Sequence, residues 1–73
     1  MAAISIPSDI TGTVWKVLVK PGDRVAEDDP LLILESMKME IPVAATEDAT
    51  VLEVCVSEGQ AVSEGDIVVV LEV

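Results

Sequence analysis

The sequence repeats itself after 37 residues, and this repeat constrains the fold more than any other feature. Residues 4–36 align with residues 41–73 without a gap. Eleven of the 33 aligned pairs are identical: Ile4/Ile41, Thr13/Thr50, Val14/Val51, Val17/Val54, Val19/Val56, Gly22/Gly59, Val25/Val62, Glu27/Glu64, Asp29/Asp66, Leu34/Leu71 and Glu35/Glu72. Two units are too few for a solenoid, which needs about three or more. The repeat therefore predicts one domain, residues 1–73, built from two interlocked halves with approximate two-fold symmetry.

Each half is rich in segments that are typical of β-strands, such as "GTVWKVLVK" and "ATVLEVCVS". The valines at 14, 17 and 19 do not keep a strict period of two, and a bulge after Val14 and after Val51 would restore one inward face. No stretch shows helical periodicity of useful length. We therefore predict an all-β fold, a flattened barrel or sandwich of two four-stranded antiparallel sheets with pseudo-two-fold symmetry.

The alignment of the halves also makes two local predictions. Asp28 stands where the second half has Gly65, and Asp is one of the few other residues that tolerate φ > 0, so both positions suit the same turn. Lys38 aligns with Met1 in one direction and falls just beyond Val73 in the other. The chain termini are therefore predicted to mirror the segment around Lys38, at the opposite end of the domain.

Charge and composition exclude several classes of function. The net charge is −10, from 14 acidic and 4 basic residues, and such a surface repels nucleic-acid phosphates and anionic lipids. No apolar run approaches the ~18 residues of a membrane span. The chain has no His, which is the commonest general base and metal ligand, so we expect no metal site. Cys55 is the only cysteine, which suits a reducing compartment, and we expect a cytoplasmic location.

The segment Glu35-Ser36-Met37-Lys38-Met39-Glu40 joins two apolar runs and breaks the local rules for turns. A tight hairpin favours Asn-Gly or Asp-Gly. A helical turn is the alternative, because Ser is a fair N-cap and Met, Lys and Glu favour helices, but six residues are too few for an ordinary helix. A surface lysine is ordinarily only solvated charge. A broken rule inside a locally consistent chain nevertheless suggests a functional site.

Ser36-Met37-Lys38-Met39 resembles the attachment motif of the biotinyl domain family, which usually reads Ala-Met-Lys-Met with a variable small residue first. The flanking segments "GTVWKVLVKPGDRV" and "ATVLEVCVSEGQAV" also resemble that family's paired valine-rich strands. The resemblance thus covers nearly the whole chain. It is strongest to the small biotin attachment proteins and to the biotin carrier domains of acyl-CoA carboxylases.

This resemblance implies a flattened β-barrel with Lys38 on an exposed hairpin. It implies that biotin protein ligase attaches biotin covalently to Lys38. The biotin would then carry CO2, as carboxybiotin, between biotin carboxylase and carboxyltransferase sites, and the chain would be a non-catalytic carrier. The neighbouring positions with an implied role in the motif or in a recognition rim are Glu35, Ser36, Met37, Met39 and Glu40. Simple turn packing of the two Met and simple solvation of the two Glu are the alternatives.

Three other functions stay open at this point. Lipoyl domains share the fold and place a lysine on the same hairpin, but their motif usually reads Asp-Lys-Ala with no Met beside the lysine. An enzyme with its own active site would have to use carboxylates such as Asp28 and Asp29, or Cys55 with no His to activate it. The third alternative is an unmodified β-barrel interaction module. Which acyl-CoA or keto-acid is carboxylated cannot be deduced from these residues.

Overall fold

The computed structural model describes residues 2–73 and contains eight β-strands. They are β1 (Ala3–Pro7), β2 (Gly12–Val17), β3 (Arg24–Val25), β4 (Pro30–Ser36), β5 (Met39–Ala44), β6 (Ala49–Val54), β7 (Ala61–Val62) and β8 (Ile67–Glu72). In this part of the chain there is no helix of the length and apolarity needed to cross a membrane. Met1, and with it the predicted correspondence between Met1 and Lys38, lies outside the described residues.

The strands form two four-stranded antiparallel sheets, as the sequence predicts. One sheet has the order β1-β8-β6-β3 and the other β5-β4-β2-β7. Each sheet takes two strands from each half of the chain, so the halves are interlocked. Replacing every strand by its repeat equivalent converts one order into the other. The predicted two-fold symmetry is thus confirmed at the level of strand order.

The symmetry extends to the pairing register. Val14 lies opposite Leu34 and Lys16 opposite Ile33, with a bulge between them. In the other half Val51 lies opposite Leu71 and Glu53 opposite Val70, with the same bulge. The predicted bulges therefore exist, and each lets both flanking valines of its strand turn towards the core.

The core lies between the two sheets and consists of aliphatic side chains from both halves. Val14 and Val51 are buried, while Val17, Val19 and Val54 are partly buried against them. The largest fully buried apolar residues are Leu31, Leu32, Leu34, Leu71, Val14, Val51, Val68 and Val69. Burial of such side chains supplies about 1.5–3 kcal/mol each, which is the main stabilising contribution in a domain this small.

Equivalent turns close the two halves. The Gly22 and Gly59 N–H groups donate to the carbonyls of Val51 and Val14, at 2.8 and 2.7 Å. Both glycines have φ near +90°. Asp28 has φ +72° where Gly65 has φ +93°, which confirms that the two positions share one turn geometry.

The described termini lie at the end of the domain opposite to the β4–β5 hairpin. Ala2 and Val73 exchange two backbone hydrogen bonds, of 3.3 and 2.9 Å, and this pair is the repeat equivalent of the Met39–Ser36 pair. From it, β1 and β8 run along the domain to the segment 8–12. That segment lies beside the last residue of β4, because the Ser36 hydroxyl donates a hydrogen bond to the Thr11 carbonyl.

The positive φ at Gly59 predicts a specific cost for a side chain there. No atom outside the adjacent residues lies within 4 Å of a Cβ built on Gly59, so the cost is conformational and not steric crowding. We expect Gly59→Ala to lower the free energy of unfolding by about 1–2 kcal/mol in a urea titration. Gly59→Asn is the control and should lose less, because Asn tolerates φ > 0. Equal stability of the two variants would contradict this explanation.

Candidate functional site

The segment around Lys38 is a β-hairpin with a two-residue turn. Ser36 at the end of β4 pairs with Met39 at the start of β5, which leaves only Met37 and Lys38 in the turn. Their φ angles are +53° and +66°. Two consecutive residues with positive φ in a two-residue loop define a type I′ turn, whose twist matches that of the flanking strands. We call this β4–β5 unit the tip hairpin.

This turn is strained, because neither of its residues is Gly, Asn or Asp. An L-residue in the left-handed region costs roughly 1–2 kcal/mol. The strands on either side impose this turn conformation. Leu34 is fully buried and lies opposite Ile41, so the packing of the core fixes the register of β4 and β5 independently of the turn residues. Strained backbone of this kind persists where function requires a particular side chain.

The side chains of the turn project into solvent. Met37 is 92% exposed and Met39 is 62% exposed, values that exclude a role in the core. Lys38 is also exposed. Within residues 2–73 the only ion pair joins Lys20 to Asp23, at 3.2 Å, so the Lys38 amine is not neutralised by a described carboxylate. The amine is therefore accessible to a second protein.

Two carboxylates face the same side of the tip hairpin. Glu35 on β4 lies directly opposite Glu40 on β5, and both are exposed. Like charges at opposed positions on neighbouring strands destabilise a sheet. At the other end of the domain Glu72, the equivalent of Glu35, lies opposite Ala3. The doubled charge is therefore a feature of the tip alone, although its role in recognition stays a prediction.

The carboxylates that would serve an enzyme of independent activity have structural roles instead. The Asp29 Oδ2 atom accepts from the Ala26 N–H at 2.9 Å, and Asp66 repeats this contact with Ser63 at 2.8 Å. Asp28 lies in the turn that it shares with Gly65. Among the described residues no group of three or more His, Cys, Asp or Glu is placed to hold a metal ion.

Cys55 is equally unsuited to nucleophilic chemistry. Cys55 is exposed, but partial desolvation of its thiol, together with the nearby Glu53 carboxylate, raises the pKa of the thiol above its ordinary value. A reactive cysteine needs a lowered pKa and an adjacent base. An open groove of about 410 Å³ exists between β1 and β5, but the residues lining it include neither Cys55 nor Lys38.

The fold and the tip together define a class of protein, a small β-barrel carrier that presents one lysine on a strained hairpin turn. Residues 2–71 match the family of biotin and lipoyl attachment domains, described as "biotin-requiring enzyme". The chain belongs to this family. The predicted carrier class and the predicted fold are thus confirmed.

Two curated relatives and one solved structure illustrate the similarity. The chain is 49% identical over 65 residues to a biotin carboxyl carrier protein of Streptococcus mutans and spans half of its length. It is 43% identical over 68 residues to a biotin/lipoyl attachment protein of Bacillus subtilis, covering 93% of both chains. The structure superimposes with a TM-score of 0.91 and 35% identity on urea carboxylase of Kluyveromyces lactis, covering 97% of this chain and 6% of that one.

Sequence reasoning identified the tip but missed two of its contacts. The Ser36 hydroxyl donates to the Thr11 carbonyl at 3.1 Å. A Cβ at Gly12 would lie 2.6 Å from the Glu35 carbonyl oxygen. The repeat contained a signal for the contact at Gly12. The aligned residue in the other half is Ala49, whose methyl group is buried in the core, so the two halves differ at this position.

The strain in the turn generates a prediction about stability. Replacing Met37 by Asn and Lys38 by Gly introduces the residues that a type I′ turn prefers. We expect this double variant to raise the free energy of unfolding by about 1–2 kcal/mol. Met39→Gly, at the first residue of β5, is the control and should lower the free energy of unfolding by about 0.5–1 kcal/mol. A double variant less stable than the parent in urea would show that the turn is not strained.

Proposed function

We propose that the Lys38 ε-amine is the point at which biotin is attached and that the chain acts as a biotin carrier component, not as an enzyme. The observation that carries the proposal is the placement of an exposed lysine between two exposed Met residues on a strained turn. The names of the relatives, a biotin carboxyl carrier protein and a biotin/lipoyl attachment protein, support it.

The chemistry of attachment fits the amine that the tip presents. Biotin protein ligase would supply biotin as its adenylate. Lys38 Nζ forms a bond to the biotin carboxyl carbon, the bond from that carbon to the AMP oxygen breaks, and AMP leaves with the electron pair. A protonated amine is not a nucleophile, so Nζ must first give a proton to a base. Among residues 2–73 no carboxylate lies within ion-pair distance of Lys38 Nζ, so we propose that the ligase provides the base.

The remaining features of the tip suit a carrier that visits several proteins. When attached, biotin supplies a ring nitrogen that can hold a carboxyl group. The chain's own residues hold the linkage at the extreme of the domain, where partner active sites can enclose it. Met37 and Met39 are flexible and polarizable, which allows one surface to fit more than one partner. We propose biotin carboxylase and carboxyltransferase as these partners and the cytoplasm as the location.

Lipoyl attachment is the second candidate, because lipoyl domains belong to the same family. The Met residues on both sides of Lys38 favour biotin, since the lipoyl motif has no Met beside the lysine. The acyl-CoA substrate class of the complete carboxylase stays a prediction.

The proposal predicts that Lys38 is the only acceptor. Intact mass measurement and peptide mapping of protein from cells that contain active ligase and biotin should show one biotin at Lys38. We expect Lys38→Arg to remain folded and to lose all labelling, because the guanidinium keeps the charge but cannot be acylated under these conditions.

Lys16→Arg and Lys20→Arg are the matched controls and should be labelled like the parent chain. Streptavidin binding by Lys38→Arg would place the acceptor elsewhere. A lipoyl adduct on Lys38 would replace biotin by the second candidate, and an unmodified parent chain in the presence of active ligase would favour an inert module.

We further propose that Glu35 and Glu40 guide docking onto a basic surface of the ligase. Glu40→Gln removes the repulsion of Glu35 and should raise the free energy of unfolding by about 0.2–1 kcal/mol. If the pair guides docking, the same variant should raise the KM of the ligase for this chain, most strongly at low ionic strength. Glu72→Gln, at the other end, is the control. An unchanged KM for Glu40→Gln would mean that the pair is only solvated.

A further inference from the structure

Each sheet has two edge strands, whose outer N–H and C=O groups could pair with a strand of another molecule. Within residues 2–73 the edge strands are β1 and β3 in one sheet and β5 and β7 in the other. β3 and β7 have only two residues each, and very short edge strands are poor templates for pairing. β1 has five residues and β5 has six, so these are the two edges to which another chain could add.

The hydrogen bonds at the two ends of β1 identify the residues whose backbone groups face away from the sheet. Ala2 exchanges two bonds with Val73, and the Ser8 N–H donates to the Asp66 carbonyl, just before β8, at 2.7 Å. Since alternate residues of an antiparallel strand face opposite sides, the odd-numbered residues of β1 direct their backbone groups outward. These residues are Ala3, Ser5 and Pro7.

The same alternation applies to β5, which is the repeat equivalent of β1. Met39 pairs with Ser36 across the two-residue turn, and the Ala45 N–H donates to the Asp29 carbonyl at 2.9 Å. The even-numbered residues of β5 therefore direct their backbone groups outward. On each of the two edges one outward position is a proline, which has no N–H to donate. The outward residues of β5 are Glu40, Pro42 and Ala44.

The repeat shows that the fold does not require proline at either position. Pro42 aligns with Ser5, and Pro7 aligns with Ala44, so each half has an ordinary residue where the other has proline. The two edges share only the presence of one blocked outward position. Both prolines are exposed, and both line the open groove between β1 and β5, from which these edges can be reached.

We propose that Pro7 and Pro42 prevent a second copy of this chain from pairing with the β1 and β5 edges. When β5 pairs antiparallel with β5 of another copy, the register that matches all outward positions puts the two Pro42 residues opposite each other. Pairing of β1 with β1, or of β1 with β5, likewise puts a proline where a donor is needed. Proline on edge strands is a general protection against such association.

This protection would keep the tip hairpin free. Because β5 begins one residue after Lys38, a strand added to β5 would lie beside the tip. The inference concerns self-association, and it stands whether or not Lys38 carries biotin. Charge is a second barrier, because the net charge of −10 repels another copy and because Asp9 and Asp28 line the same groove.

The test measures the mass of the complete chain by sedimentation equilibrium, up to about 1 mM protein, where weak association is still detected. The buffer contains about 1 M NaCl, which shortens the Debye length to about 3 Å and screens the repulsion. We expect the parent chain to stay monomeric. The mass of Pro42→Ser should rise with concentration towards twice that of the parent, and its amide hydrogen exchange at residues 40, 42 and 44 should become slower.

Pro21→Ser is the matched control, because it removes an exposed proline from the turn between β2 and β3, away from both edges, and it should stay monomeric. N-methylserine at position 42, introduced by chemical synthesis, lacks the same N–H without having the proline ring, and it should also stay monomeric. If Pro42→Ser does not fold, Pro7→Ala decides, with slower exchange expected at residues 3, 5 and 7.

A folded Pro42→Ser chain that stays monomeric would overturn the inference, as would equal association of the parent chain, of Pro21→Ser or of the N-methylserine chain. Association without slower exchange at the outward residues would also overturn it, because the contact would then lie elsewhere. A parent chain without any label at Lys38 would overturn the proposed function and leave this inference standing.

Discussion

The register between β4 and β5 is the constraint on which the rest of this domain depends. Leu34 lies fully buried opposite Ile41, and a slip of one residue would turn every core side chain of β5 to solvent. With that register the chain has two residues in which to reverse, and the right-handed twist of the strands selects a type I′ turn. The buried core thus dictates the backbone conformation of Met37 and Lys38, although neither side chain enters it.

A small domain can hold such a turn because its two halves support each other. Each sheet contains two strands from each half, so no half can open without exposing the aliphatic core of both sheets. The turns at Gly22 and Gly59 bond across to Val51 and Val14, which are themselves core residues. The stability of the whole core therefore offsets the unfavourable conformation of the turn. The backbone that carries Lys38 is held by the paired strands, although the Lys38 side chain itself is exposed.

Positions at which the two halves of the repeat carry different residues show which side chains the fold does not require. Glu40 stands where the first half has Ala3, and Gly12 stands where the second has Ala49. Ser36 stands where the second half has Val73. In space all three lie at the base of one hairpin, and the opposite end of the barrel folds with the alternatives. An internal repeat is in this sense a built-in control, because the two copies share their packing requirements but only one of them carries Lys38.

The sequence by itself determined the strand content, the two-fold arrangement, the bulges after Val14 and Val51, and Lys38 as the candidate acceptor. The first three follow from local periodicity and from the 37-residue repeat, whereas Lys38 as the candidate acceptor comes from the resemblance of Ser36-Met37-Lys38-Met39 to the family's attachment motif. Only the tertiary structure decided that Met37 and Lys38 both take positive φ, that Glu35 faces Glu40, and that Gly12 touches the hairpin base. The physical reason is that the first two depend on the register between β4 and β5, and the third depends on the distance between β2 and β4. Such distances are set by the packing of the whole core and not by any local pattern of residues.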